Sequence, residues 1–94
     1  MLYKLRSVAE YEIDDLFPAL ERYLNFGMLP GKFLTACLEN NLVGAMQRAD
    51  IDNRYRLNEI VGYLHDYFPP EAWGDFEKVE AWVKKAKEQV YDIA

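Results

Sequence analysis

The chain has 94 residues and a mass of 11.0 kDa, a size that fits one domain and leaves no room for a second. With 51% hydrophobic and 15% aromatic residues it can form a core, which excludes intrinsic disorder as its main state. Acidic residues outnumber basic ones by 16 to 11, and the resulting net charge of −5 argues against a general nucleic-acid binder.

The composition favours helices over strands. Thr occurs once and Ile four times, so β-branched residues are scarce. We therefore expect an all-α fold, a compact single domain of about five short helices over residues 1–94. Residues 1–13 fit either a short helix or an irregular arm, because their pattern supports both.

The first helix is predicted from apolar residues at helical spacing: Leu16, Leu20, Tyr23 and Leu24. Asp14 or Asp15 can cap its start, and Pro18 is tolerable only in its first turn. Gly27 is a typical closing residue in the left-handed conformation. The helix is therefore expected to run from about Asp15 to Gly27.

A second and a third helix are predicted on either side of Asn40-Asn41. This pair ends the second helix and caps the third. The second helix should bury Phe33, Leu34, Cys37 and Leu38, and the third should bury Leu42, Ala45, Met46 and Ala49. The third helix is expected to be short.

The last two helices show the clearest patterns. The fourth has Leu57, Ile60, Val61, Leu64 and Phe68 on one face, and the fifth has Phe76, Val79, Trp82, Val83, Ala86 and Val90. We expect Asp52 to cap the fourth, Pro69-Pro70 to stop it, and Asp75 to cap the fifth. Gly62 lies inside the fourth helix, where a glycine fits either close approach of another helix or a ligand site.

Catalytic residues are scarce. The chain has one Ser (Ser7), one Cys (Cys37) and one His (His65), whereas a nucleophile needs a base and an orienting group nearby. Cys37 lies on an apolar face, and we expect His65 to be half-buried at the edge of another. A lone cysteine also excludes an internal disulfide. We therefore expect no enzyme, no metal site and no cofactor.

The acidic residues are concentrated in one part of the chain. Between positions 10 and 21 there is no basic residue, and the acidic residues are Glu10, Glu12, Asp14, Asp15 and Glu21. They fit ordinary solvation and helix capping, or an acidic face for a basic partner such as a surface that normally holds nucleic acid. Arg48, Arg54 and Arg56 alternate with aspartates, so we expect local ion pairs rather than direct nucleic-acid binding.

The aromatic residues exceed what a core of this size can enclose. Tyr63 and Tyr67 lie one helical turn apart, and Trp73 follows beyond the proline corner. These three residues are expected either to pack at the edge of the core or to form a surface for protein binding or self-association. In the second case the surface would hold a partner or form a homodimer.

Several motifs in fixed order resemble a family of small uncharacterised proteins encoded by bacteriophages and prophages. The matching elements span about residues 23–82 and include Leu29-Pro30-Gly31, Phe33-Leu34, Arg48-Ala49-Asp50, Trp73-Gly74 and Lys78-Val79 with Trp82. Asn41 and Asp75 stand where the family usually has aspartate and serine, and both can still cap a helix.

The resemblance implies a phage or mobile-element accessory protein in the cytoplasm of a bacterial host, and it brings no activity, catalytic residue or cofactor. We expect such a protein to act by protein–protein binding, for example as an anti-CRISPR inhibitor of a bacterial defence system. Its partner would be a host or phage protein, nucleic-acid-binding complexes included, and no membrane is involved. The alternative is a small nucleic-acid-linked transcriptional regulator, with Arg54 and Arg56 at the start of a groove-reading helix.

Overall fold

A computed structural model describes residues 2–93, with side chains up to Val90, so the two ends of the predicted domain lie outside the described residues. The helices are α1 Phe17–Phe26, α2 Lys32–Leu38, α3 Leu42–Arg48, α4 Ile51–Tyr55, α5 Leu57–Tyr67 and α6 Phe76–Ile93. Two 3-10 turns, Asp14–Leu16 and Pro70–Ala72, precede α1 and α6. Residues 2–93 contain no strand, which confirms the predicted all-α single domain. None of the helices described combines the length and apolar character needed to span a bilayer.

Residues 2–13, which we call the arm, run across the helices without forming one. An isolated bridge joins Val8 and Tyr11, and the amide of Ile13 donates to the carbonyl of Tyr11 at 3.0 Å. Ile13 is 0% exposed and anchors the end of the arm in the core. The arm is therefore an irregular segment fixed at its end nearest α1.

Helix α1 buries Leu20, Tyr23 and Leu24, as predicted, and ends at Gly27, whose φ of 70° is left-handed. Its start is different from the prediction. Neither of the aspartates in the preceding turn caps a helix, because no side chain accepts a hydrogen bond at either N-cap. Instead the Asp15 carboxylate binds the guanidinium of Arg56, which lies far along the chain.

The connection from α2 to α3 follows the sequence closely. Asn40 adopts a φ of 58°, and the Asn41 side chain accepts a hydrogen bond from the Gly44 amide at 3.0 Å. The predicted apolar face of α3 is wrong, however, because Leu42 and Met46 are exposed. Helix α3 packs mainly on α2, and its seven residues reach that contact with only one narrow face.

The predicted fourth helix is two helices, which brings the number among residues 2–93 to six. Arg56, with φ −106° and ψ 18°, separates α4 from α5. Asp50 is the N-cap of α4, since its carboxylate accepts a hydrogen bond from the Asn53 amide at 2.8 Å. The prediction of Asp52 as the cap is therefore wrong by two residues.

The core is formed by buried side chains of α1, α2, α5 and α6. Leu64 and Ile60 of α5 are fully buried, and Trp82 of α6 donates its indole N–H to the Leu24 carbonyl at 3.1 Å. Asp75 caps α6 as predicted, by accepting from the Lys78 amide at 2.7 Å. Two residues of the predicted α6 face, Phe76 and Val90, are exposed, so that part of the prediction is wrong.

Candidate functional site

The acidic residues between positions 10 and 21 do not form one free surface. Glu10, Glu12 and Asp14 are exposed, whereas Glu21 is half-buried and accepts a hydrogen bond from the Leu5 amide at 2.8 Å. The Asp15 carboxylate forms an ion pair with Arg56. Part of this negative charge therefore holds the chain together and is not available to a partner.

The ion pair of Asp15 with Arg56 is bidentate. Both carboxylate oxygens accept from the guanidinium at 2.7 Å, which is a strong geometry for such a pair. The hydrogen bonds from Arg56 lower the pKa of Asp15, and the same contact raises the pKa of Arg56. The pair fastens the start of α1 to the junction of α4 and α5. The guanidinium of Arg54 also makes a contact within the chain, because it donates a hydrogen bond to the Met46 carbonyl at 3.3 Å.

The predicted aromatic surface is largely covered. Tyr63 is 0% exposed and cannot serve as an exposed anchor, because the arm lies over it and its hydroxyl bonds the backbone of Arg6. Trp73 is half-buried against the core, and Tyr67 remains 42% exposed. The ring of Tyr11, on the arm, packs edge-on against Tyr63 and Tyr67. The aromatic cluster is therefore a contact between the arm and α5.

The hydroxyl of Tyr11, which belongs to this cluster, contacts a carboxylate. It donates to Asp66 at 2.6 Å, and this hydrogen bond is the main reason why the pKa of Tyr11 rises to about 12. The pKa of Asp66 is lowered, first by the hydrogen bond from His65 and then by that from Tyr11. The His65 side chain is 79% exposed, so the expectation of a half-buried histidine is wrong. It lies on the outer face of α5, beside Asp66.

The single thiol lies inside the core. Cys37 is buried, and burial raises its pKa to about 12, so the thiolate needed for nucleophilic chemistry is suppressed. Among the residues described, no three His, Cys, Asp or Glu side chains are grouped as metal ligands. The thiol therefore behaves as a small core residue.

Several large apolar side chains are exposed on the consecutive helices α3 and α4, where the sequence pattern had predicted that Leu42 and Met46 are buried. The exposed residues are Leu42, Val43, Met46, Ile51 and Tyr55. Val43 and Ile51 are 69% exposed and Tyr55 is 81% exposed. We call this area the α3–α4 surface.

A shallow groove on the α3–α4 surface brings the apolar side chains together with one cation. Leu42, Val43 and Met46 line it, and Arg54 from α4 completes its edge. Ile51 lies three residues before Arg54, so the two are neighbours on α4. The sequence contained one indication of this exposed surface, because Leu42 and Val43 are adjacent. A helix that packs by one narrow face cannot bury two side chains that are neighbours in sequence.

A scan against protein-family models, a search of curated proteins and a search of solved structures each found no match to this chain. The resemblance to phage proteins stays an expectation from the sequence motifs.

Proposed function

We propose that the protein works by binding another protein, without catalysis, through the α3–α4 surface. The observation that supports this is the group of large apolar side chains left in water on consecutive helices. Exposed apolar patches on small proteins commonly mark interaction sites. Tyr and Arg are preferred anchors in such sites, and Tyr55 and Arg54 stand next to each other here.

The side chains that line the groove indicate which groups of a partner would bind there. An apolar side chain would fill the space between Leu42, Val43 and Met46, and a carboxylate next to it would meet Arg54. The sequence resemblance alone supports the further proposal of a phage or mobile-element accessory protein in a bacterial cytoplasm. Its partner would be a host or phage protein, for which a defence complex inhibited by an anti-CRISPR is one example.

The experiment is affinity capture from an expressing bacterial host, with paired variants. Val43→Gln combined with Ile51→Gln removes two of the most exposed apolar side chains and keeps helix-forming residues. Phe76→Gln is the control, since Phe76 is also a large apolar residue that is exposed, on another helix. We expect the control to retain the captured protein and the double variant to lose it.

Two results would contradict the proposal. One is capture that is equal for the wild-type chain and the double variant, and the other is no specific capture by either. Light scattering at tens of micromolar separates the self-association alternative, because a homodimer has twice the 11.0 kDa mass of the chain. A dimer that the double variant abolishes would assign the surface to a second copy instead of a partner.

A further inference from the structure

Charge is unevenly distributed along the chain. Three segments contain no acidic residue: 2–9 in the arm, 22–38 from the end of α1 through α2, and 81–87 in α6. Together they hold seven of the 11 basic residues, which are Lys4, Arg6, Arg22, Lys32, Lys84, Lys85 and Lys87. The net charge of −5 does not show this separation, because all 16 acidic residues lie in the rest of the chain.

The fold brings these three segments together at one end of α1. The Asn25 side chain accepts a hydrogen bond from the Tyr3 N–H at 2.6 Å, and the Tyr3 ring lies edge-on to Trp82 with 5.7 Å between the ring centroids. A Cβ built on Gly27 would lie 2.9 Å from Cγ of Lys87, so the lysine stem lies over this glycine. The start of the arm, the end of α1 and the acid-free part of α6 therefore form one surface.

Large apolar side chains are exposed at the same place. Phe26 and Met28 flank Gly27, Leu29 follows, and all three side chains are exposed to solvent, as is Tyr3. Met28 and Leu29 are 53% and 54% exposed. We call the surface formed by four apolar residues and five lysines the basic end; its members are Tyr3, Phe26, Met28, Leu29, Lys4, Lys32, Lys84, Lys85 and Lys87.

The lysines of the basic end are exposed, and none of them forms an ion pair with another residue that the structure describes. The ammonium of Lys85 lies 5.2 Å from the centroid of the Trp82 ring, so its stem follows an apolar surface. Glu80 and Glu88 border the lysines of α6, which limits the basic end to the turns between them. Its positive charge is therefore local and directed to solvent.

The composition of the basic end indicates what it binds. Protein interfaces are enriched in arginine and depleted in lysine, whereas all five cations here are lysines. A nucleic acid attracts lysines, but its backbone offers no hydrocarbon to Met28 and Leu29. The surface of an anionic bilayer matches both features, because its headgroups attract lysines and its acyl boundary accepts apolar side chains.

We propose that the basic end binds the surface of a bilayer that contains anionic phospholipids. Phe26, Met28 and Leu29 enter the boundary between headgroups and acyl chains, and the lysines remain among the headgroups. This peripheral contact needs no spanning helix, but it differs from the sequence expectation that no membrane is involved. It does not rest on the function proposed above, because none of these residues lines the groove of the α3–α4 surface.

The test is sedimentation of the full-length chain with lipid vesicles. We expect binding to vesicles of equimolar phosphatidylglycerol and phosphatidylcholine, and no binding to vesicles of phosphatidylcholine alone. The affinity should fall as salt is raised, because the Debye length shortens from about 30 Å at 0.01 M to about 10 Å at 0.1 M. These measurements use the wild-type chain, so they are informative even if a variant fails to fold.

Two lysines of α6 provide a matched pair of variants. Lys87→Gln should weaken binding to the anionic vesicles about fivefold, which corresponds to about 1 kcal/mol for a lysine near the membrane surface. Lys78→Gln makes the same change of net charge on the same helix, about 14 Å away along its axis, and should leave the affinity unchanged.

Two phenylalanines test the apolar contribution in the same way. Phe26→Gln should weaken vesicle binding about fivefold at every salt concentration, because less than half of this side chain is free to enter the bilayer. Phe76→Gln removes an exposed phenylalanine outside the basic end and should have no effect. Circular dichroism checks that each variant keeps its helices.

Several results would overturn the proposal. They are no binding to the anionic vesicles at low salt, equal binding to both kinds of vesicle, and equal effects of the two variants in either pair. A short duplex DNA is the comparison polyanion, since it presents negative charge without hydrocarbon. If the DNA binds and the vesicles do not, the basic end is a nucleic-acid surface and the lipid proposal is wrong.

Discussion

Gly62→Ala tests the contact between the arm and α5 directly. The added Cβ would lie 2.7 Å from Cε1 of Tyr11 and 3.0 Å from its Cζ, closer than such atoms can approach. Because Tyr11 belongs to the arm and Gly62 to the interior of α5, the ring rather than the helix should give way. The variant is therefore expected to loosen the arm while α5 remains intact.

Two opposing effects determine the change in the free energy of unfolding. Replacing glycine by alanine inside a helix stabilises it by about 1 kcal/mol. Inserting a methyl group where no space exists costs about 1–3 kcal/mol. The sum for Gly62→Ala in the wild-type chain is a loss of about 0–2 kcal/mol. In a Tyr11→Ala background the obstruction is gone, and the same substitution should stabilise by about 1 kcal/mol.

Urea denaturation of the four chains in this double-mutant cycle measures the coupling. Gly31→Ala is the control, since nothing lies within 4 Å of a Cβ at that position and its effect should be the same in both backgrounds. Hydrogen exchange at the arm amides should rise in Gly62→Ala alone. The reasoning is refuted if the effects of Gly62→Ala in the two backgrounds agree within about 0.5 kcal/mol, the usual limit for independent sites.

Three other predictions follow from buried or paired groups. Tyr23→Phe should lower the free energy of unfolding by about 1–3 kcal/mol, measured in urea, since the Tyr23 hydroxyl donates to the buried Ala72 carbonyl at 2.6 Å. Labelling of Cys37 by a thiol reagent should be slow in the folded chain, because burial raises its pKa to about 12; rapid labelling under native conditions would contradict this. The pair with Arg56 lowers the pKa of Asp15, so its stabilisation is present above the usual value of 3.8 and is lost as the pH falls through the lowered value. The difference in urea midpoint between wild type and Asp15→Asn should therefore disappear in acid, and a difference that grows there would show the sign to be wrong.

Much of the fold could be predicted because helix periodicity and helix ends are local properties. Most of the residues predicted to be buried on α1 and α5 are buried, and Gly27 and Asp75 end and begin helices as predicted. Tyr63 is buried as well, although its position did not predict it. These features depend on residues within one or two turns of each other, which is the range over which a sequence pattern is informative.

Contacts over long sequence distances could not be predicted in the same way. Asp15 stands where a capping residue is expected, and nothing near it in sequence indicates a partner at Arg56. Gly62 indicated that another segment approaches closely, but the approaching group is the ring of Tyr11 and not a second helix. In both cases the residue type indicated a specialised role, and only the tertiary fold identified the partner.

The α3–α4 surface was missed for a different reason. Helical spacing predicts which residues share a face, but it does not say whether that face has a neighbour. Helix α3 packs mainly on α2, so Leu42 and Met46 share a helix with the buried Ala45 and still remain in water. Short helices are the least predictable in this respect, because a single contact can satisfy them.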